Sequence, residues 1–178
     1  MTTELPQYFV GSKVSLRALD AQDVPKLAAW INDERISGMD EARFPISVAE
    51  EEVWYERVTT DVSKKKLVVC NDGDKDVGLV SLHDIDKKNQ RGEVGCYIDP
   101  AHRRRGYSRE ALDLLIRFAF EELNLRKVSA SILAFNEASL SLFRSLGFEE
   151  EGVRRQHVFT RGKFEDLVEM AKFREDAA

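Results

Sequence analysis

The 178-residue chain is poor in cysteine, in histidine, in surplus basic charge and in long apolar runs. Each scarcity excludes something. Cys70 and Cys96 are the only cysteines. Both sit inside apolar, strand-like runs, which reads as two buried thiols rather than a disulfide or a metal pair. The three histidines, His83, His102 and His157, lie far apart with no ligand spacing, so no metal site is expected. The formal net charge of −5 makes nucleic acid a poor default partner, because phosphate neutralisation wants a basic face. No uninterrupted apolar run approaches a membrane span, and the amino terminus carries no signal-peptide core. A reducing cytoplasm is therefore the expected setting. No internal repeat or low-complexity linker divides the chain, and its length suits one domain with a substantial core.

What is present is patterned. Lys13 to Leu19 alternates as a strand, with Val14, Leu16 and Ala18 on one side. Asp20 is placed to cap a helix carrying Val24, Leu27, Ala28 and Ile31 on one face, and Ser47 with Glu50 has capping-box spacing for a second helix. Strands are predicted over 66–70, 77–85 and 93–98, separated by turn-rich Asn71 to Asp74 and Asp86 to Gly92. A long helix follows with Leu112, Leu115, Ile116, Ala119, Phe120 and Leu123 in one stripe. Then come a strand over 127–133, a short helix from Asn136 closed by Gly147, and a strand pair over 153–160 and 166–173. This order predicts an α/β fold with a mixed sheet in a single domain spanning 1–178, its core about 13–173.

The most chemically informative stretch is Asp99 to Glu110. A strand ending at Ile98 runs into the basic loop Arg103-Arg104-Arg105-Gly106-Tyr107-Ser108, which opens the long helix. Free backbone N–H groups and the dipole at a helix N-terminus hold phosphate or pyrophosphate, and the arginines add fixed charge. Gly106 lets a ligand approach the backbone closely.

These residues resemble the GCN5-related N-acetyltransferase (GNAT) superfamily, whose signature Gln/Arg-x-x-Gly-x-Gly/Ala follows its fourth strand. Here it stands as Arg103-Arg104-Arg105-Gly106-Tyr107-Ser108, with Ser in place of the last small residue. The segment Asn136 to Phe148 is similar to the family's Asn-x-x-(Ala/Ser)-x-x-Leu-(Tyr/Phe)-x-x-x-Gly-Phe. The ending around Gly162-Lys163-Phe164 looks like the branch acting on protein N-termini, polyamines and amino sugars. The resemblance covers Val14 to about Phe173. It implies a mostly antiparallel sheet of about seven strands, splayed at its centre to hold acetyl-coenzyme A as cosubstrate.

It further implies that Arg103, Arg104, Arg105, Gly106, Tyr107 and Ser108 bear the phosphates, and that Cys96 to Ile98 pairs with the pantetheine arm as a strand would. Asn136 gains a pantetheine contact beside its capping role, and Phe143 lies along the coenzyme. Many relatives carry Tyr where Phe143 stands, as an acid for the leaving thiolate. Phenylalanine has no proton to give, though a thiol of pKa about 8.5 leaves tolerably without one. Tyr97, Tyr107 and solvent remain open as substitutes. Plain core packing on the helix face is the simpler reading of Phe143.

Glu93, at the start of the fourth strand, is the general-base candidate, drawing a proton from an acceptor ammonium through water. The competing reading is a strand-edge charge beside Arg91. Trp30, Phe44 and Trp54 fall where relatives cover the acceptor. Asp33, Glu34, Asp40, Glu41 and Glu50 to Glu52 make that region acidic, which reads either as a surface favourable to a cation or as ordinary solvated helix faces. The implied activity is transfer of acetyl from acetyl-CoA to a primary amine by direct attack, the amine belonging to a protein N-terminal alanine or serine, a polyamine or an amino sugar. The alternative is a catalytically weak acyl-CoA-binding sensor or scaffold. Homodimers are common among relatives, so a homodimer stays open.

Overall fold

The computed structural model describes residues 9–37, 44–73 and 75–175. Seven strands form one sheet in the order β1-β2-β3-β4-β5-β7-β6. They are β1 (Val14–Ala18), β2 (Lys65–Asn71), β3 (Asp76–Asp86), β4 (Arg91–Ile98), β5 (Lys127–Leu133), β6 (Glu149–Thr160) and β7 (Lys163–Phe173). All neighbours pair antiparallel except β4 and β5, which run parallel.

The helices divide the core between the two faces. On one face α4 (Tyr107–Glu121) and α5 (Glu137–Ser145) bury Ala111, Leu112, Leu115, Leu140 and Phe143 against Leu16, Val69, Val80, Val94 and Ile98. On the other, α1 (Val24–Ile31), α2 (Glu34–Ser37) and α3 (Val48–Thr60) join Leu27, Trp30 and Ile36 to Val68, Cys70 and Leu79. Side chains alternate across a strand, so neighbouring residues such as Val68 and Val69 serve opposite cores. The same alternation separates the thiols. Cys70 belongs to one core and Cys96 packs against the other, and both are free.

Several boundaries differ from the sequence expectation for local reasons. Asp20 caps a 3-10 turn (Ala21–Asp23) before α1 begins, with Asp23 returning a bond to the Asp20 amide at 2.8 Å. The short α2 was not anticipated. β6 starts at Glu149 rather than 153, because an edge strand pairs through its backbone and its charged, exposed side chains show no apolar alternation. β7 likewise begins at Lys163, and β4 at Arg91, where Arg91 still pairs with Asp86 across the hairpin. The box at Ser47 and Glu50 forms as predicted, each side chain capping the other's amide. Among the described residues, no helix is long and apolar enough to cross a membrane.

Candidate functional site

The parallel pairing of β4 with β5 is brief. It covers Arg91, Gly92 and Glu93 against Lys127, Val128 and Ser129, and then stops. Beyond that point β5 continues to pair with β7 through Leu133, and β4 with β3 through Ile98. The strands have forked. The β5-facing edge of 94–98 is left with backbone groups for an extended ligand to pair with, as an added strand would. Cys96 and Ile98 lie along this edge, the Cys96 thiol pushed up to about 12 by burial and hydrogen-bonded to Ser108.

The fork opens toward the start of α4. Gly106 is the N-cap of that helix at φ 84°, and no side chain caps the exposed amides of its first turn. Arg104 also takes a positive φ, 61°. Two left-handed residues leading into an uncapped helix N-terminus present a turn of N–H groups suited to an anion. Arg104 and Arg105 are exposed beside it. A basic group that sequence reading missed lies there too: a Cβ on Gly106 would stand 3.2 Å from Lys13 Nζ. Lys13 is distant in the chain and nothing local marks it.

Arg103 is used differently from its neighbours. Its Nε donates to the Ile98 carbonyl at 3.0 Å and its guanidinium to the Arg35 carbonyl at 3.0 Å, so it fastens the loop to β4 and α2. Tyr107 is buried in the α4 core. Asn136 caps α5, accepting from Ser139 N–H at 3.2 Å. Phe143 is 4% exposed and packs edge-on to Phe148 at 4.9 Å, the core role that its helix stripe predicts.

The opposite face of the sheet carries the acceptor candidates. Three successive rungs of the β3–β4 ladder point there: Leu79 with Tyr97, Ser81 with Gly95, and His83 with Glu93. The middle rung, Ser81 with Gly95, is the least bulky of the three. A cavity of about 750 Å³ adjoins the Tyr97 end, lined among others by Leu27, Glu51, Trp54, Arg57 and Lys66. Burial raises the Tyr97 phenol well above its ordinary value, so Tyr97 stays protonated. Glu93 sits at the other end, on the last rung before the fork, facing a cleft shared with Asp84 and Ser129.

The three aromatic residues expected over the acceptor part company. Trp54 lines the cavity. Trp30 is 6% exposed and lies behind it, edge-on to Tyr97 at 5.5 Å, with Nε1 donating to Asp99 at 3.0 Å. Phe44 is 92% exposed and does not line the cavity. Asp40 and Glu41 lie outside the described residues. The acidic character expected here is tempered by Arg57 and Lys66, which share the cavity wall with Glu50 and Glu51.

Residues 13–149 match the Acetyltransferase (GNAT) domain family. The chain is 30% identical over 172 residues, 95% of its own length and 94% of the relative's, to an uncharacterised SPbeta prophage-derived N-acetyltransferase of Bacillus subtilis. Its fold superposes with TM-score 0.87 on the crystal structure of a spermidine N-acetyltransferase from Vibrio cholerae in complex with CoA and spermine, at 26% identity, covering 92% of this chain and 96% of that one. A dodecameric structure of a Vibrio cholerae spermidine N-acetyltransferase matches with TM-score 0.81 at 25% identity, covering 92% and 95% of the two chains.

Proposed function

Because the chain belongs to the GNAT family of acetyltransferases, we propose that it moves the acetyl group of acetyl-CoA to a primary amine that reaches Glu93 across the β3–β4 face. The observation that carries the donor half is the fork: paired strands part immediately after Glu93, and the opening leads to an uncapped helix N-terminus flanked by Arg104 and Arg105. Residues of this chain fit the cosubstrate at both ends. The amides of the Arg103 to Ser108 loop receive the pyrophosphate, and the free edge of β4 pairs with the pantetheine arm. A β4 N–H near the fork polarises the thioester carbonyl.

Glu93 does the proton work. An alkylamine of pKa about 10.4 is almost wholly protonated at neutral pH and cannot attack until a base relieves it. Glu93 accepts that proton, directly or through one water, as the amine nitrogen meets the thioester carbon. Holding the two substrates on either side of one strand supplies proximity without a covalent enzyme intermediate. With Phe143 buried in the core, the departing thiolate takes its proton from solvent.

Two observations support a cationic acceptor. Asp84 and Glu93 place two carboxylates in one cleft, and similar folds include a spermidine acetyltransferase bound to spermine. Polyamines thus head the acceptor series, before amino sugars and peptides beginning with alanine or serine. A homo-oligomer and a cytoplasmic setting, which suits two free thiols, belong to the same proposal.

The test is release of CoA thiol from acetyl-CoA with spermidine, spermine, glucosamine and Ala- or Ser-initiated peptides. Acetylated product from any of them supports the proposal. Tight acetyl-CoA binding with no turnover across the series turns the reading to an acyl-CoA sensor.

A further inference from the structure

Beside Glu93 the structure holds a second ionisable group that the reaction as drawn does not use. His83 is the cross-strand partner of Glu93 in the β3–β4 ladder. Residues facing each other on adjacent strands project from the same side of the sheet, so imidazole and carboxylate stand together. Asp84 joins them: the nearest side-chain nitrogen or oxygen atoms of His83, Asp84 and Glu93 all lie within 4.8 Å of one another.

Asp84 is there through a break in the strand. In regular β structure residue 84 would point away from residue 83. Here Asp84 takes φ 50°, and the β3–β4 register shifts between His83 and Asp86. This irregularity swings the Asp84 carboxylate to the His83 side, where its Oδ2 lies 3.2 Å from Nδ1. Bulges beside active sites commonly re-aim a side chain in this way. With Nδ1–H given to Asp84, Nε2 is left as the proton acceptor.

We propose that His83, aligned by Asp84, is the relay that clears protons from Glu93 to solvent during turnover. The proposal rests on the acetyl-transfer reading with Glu93 as base. The ammonium acceptor gives its first proton to Glu93, and the free amine forms a C–N bond as the C–S bond breaks. The second proton, shed by nitrogen as it becomes the amide, passes through solvent to the departing sulfur, so CoA is released as the thiol. Glu93, now a neutral acid, passes the proton to Nε2 directly or through one bridging water, the imidazole and the carboxylate lying within 4.8 Å of each other. The imidazolium returns the proton to bulk water, and Glu93 is a carboxylate again.

The placement suits that task. The His83 side chain is 32% exposed and lines the cleft toward α3 and β2, while Asp84 lines both that cleft and the one that holds Glu93. Toward α3 and β2 it shares a cleft with Arg57, Asp61, Lys64 and Lys66. On the Glu93 side the cleft carries Arg91, Lys127, Glu151, Arg154 and Glu169. Lys127 pairs with Glu151, Arg154 with Glu169, and Arg91 with Asp86, so those charges are largely matched among themselves.

Two measurements on the full chain decide the matter. In the first, the His83 ring is titrated by NMR in wild type, Glu93→Gln and Asp84→Asn. Each variant removes a carboxylate charge within 4.8 Å of the imidazole, so the coupling is read as a lower His83 midpoint in both variants than in wild type. An identical midpoint in Glu93→Gln overturns the coupling, and this readout needs no turnover. In the second, pH–rate profiles on the best amine are compared for wild type, His83→Gln, and His83→Ala with and without added imidazole. The relay predicts about a tenfold loss of kcat near neutrality, an unchanged KM for acetyl-CoA, an altered profile, and recovery with imidazole. Wild-type profile and rate in His83→Gln count against the relay alone. Absence of turnover on every amine in wild type counts against the acetyl-transfer reading, and against the relay with it. Loss of wild-type activity on chelation overturns the relay by assigning the cluster to a cation.

Discussion

The Glu110 carboxylate holds the Val14 amide at 2.8 Å, tying the first strand of the sheet to the first turn of the helix that opens at the basic loop. The same carboxylate accepts from the Ser12 and Lys13 amides at 2.9 and 2.7 Å and from the Ser12 hydroxyl at 2.7 Å. One side chain thereby satisfies the start of β1 and keeps Lys13 beside Gly106.

Replacing Glu110 with Gln removes the charge from four charge-assisted bonds. A loss of about 2 kcal/mol in unfolding free energy at neutral pH is expected. The pH dependence follows from the carboxyl itself. Burial pushes it up, but the Ser12 hydroxyl and the three amides pull it further down, leaving it below its ordinary value. A depressed folded-state value means the stabilisation is complete above the ordinary carboxyl range and is lost as pH falls through the folded one. Urea denaturation at neutral and acidic pH should show the gap between wild type and Glu110→Gln closing in acid. A gap that persists unchanged contradicts the assignment.

Arg104 and Arg105 are exposed at the loop, whereas Arg103 is spent on the Ile98 and Arg35 carbonyls. The double variant Arg104→Ala/Arg105→Ala should bind acetyl-CoA about tenfold more weakly and with a flatter dependence on salt. Its thermal stability should stay close to wild type. Arg103→Ala should instead lower stability first, because it frees two carbonyls that hold the loop to its neighbours. Equal losses of affinity without loss of stability in both variants would refute this division of labour.

Phe143 tests whether the helix after Asn136 is chiefly a packing element. Its ring is buried against Phe148, so Phe143→Ala should cost about 3–5 kcal/mol in chemical denaturation. A variant as stable as wild type would show that the ring faces open space.

What could be read from the sequence was local. The Ser47 and Glu50 box, the glycine loop opening α4 and the stripe through Leu112 and Leu115 depend on residues within a turn or two of one another. The alternation that set Val94, Cys96 and Ile98 on one side also needed no partner strand. The resemblance to a family then fixed the overall fold. Lys13 beside Gly106, Glu110 on β1, and Arg103 turned back on Ile98 are products of tertiary register or of a rotamer, and composition says nothing of either. The resemblance to relatives puts Phe44 over the acceptor, yet its side chain is exposed to solvent. His83 is the instructive middle case. Spacing among the three histidines gives no sign of it, while the hairpin between β3 and β4 carries it directly opposite Glu93.

The account as a whole stands on the loop at Gly106 being the seat of the acetyl-CoA phosphates. The measurement that tests it most directly is calorimetric titration of acetyl-CoA into wild type, Gly106→Glu and Gly162→Glu. Both glycines have a positive φ, 84° and 80°, so each substitution strains a turn in the same way. Only the first puts a side chain and a negative charge into the anion cradle. The expected result is saturable binding to wild type, nearly equal binding to Gly162→Glu, and loss of at least about a hundredfold in Gly106→Glu. Undiminished affinity in Gly106→Glu would contradict it.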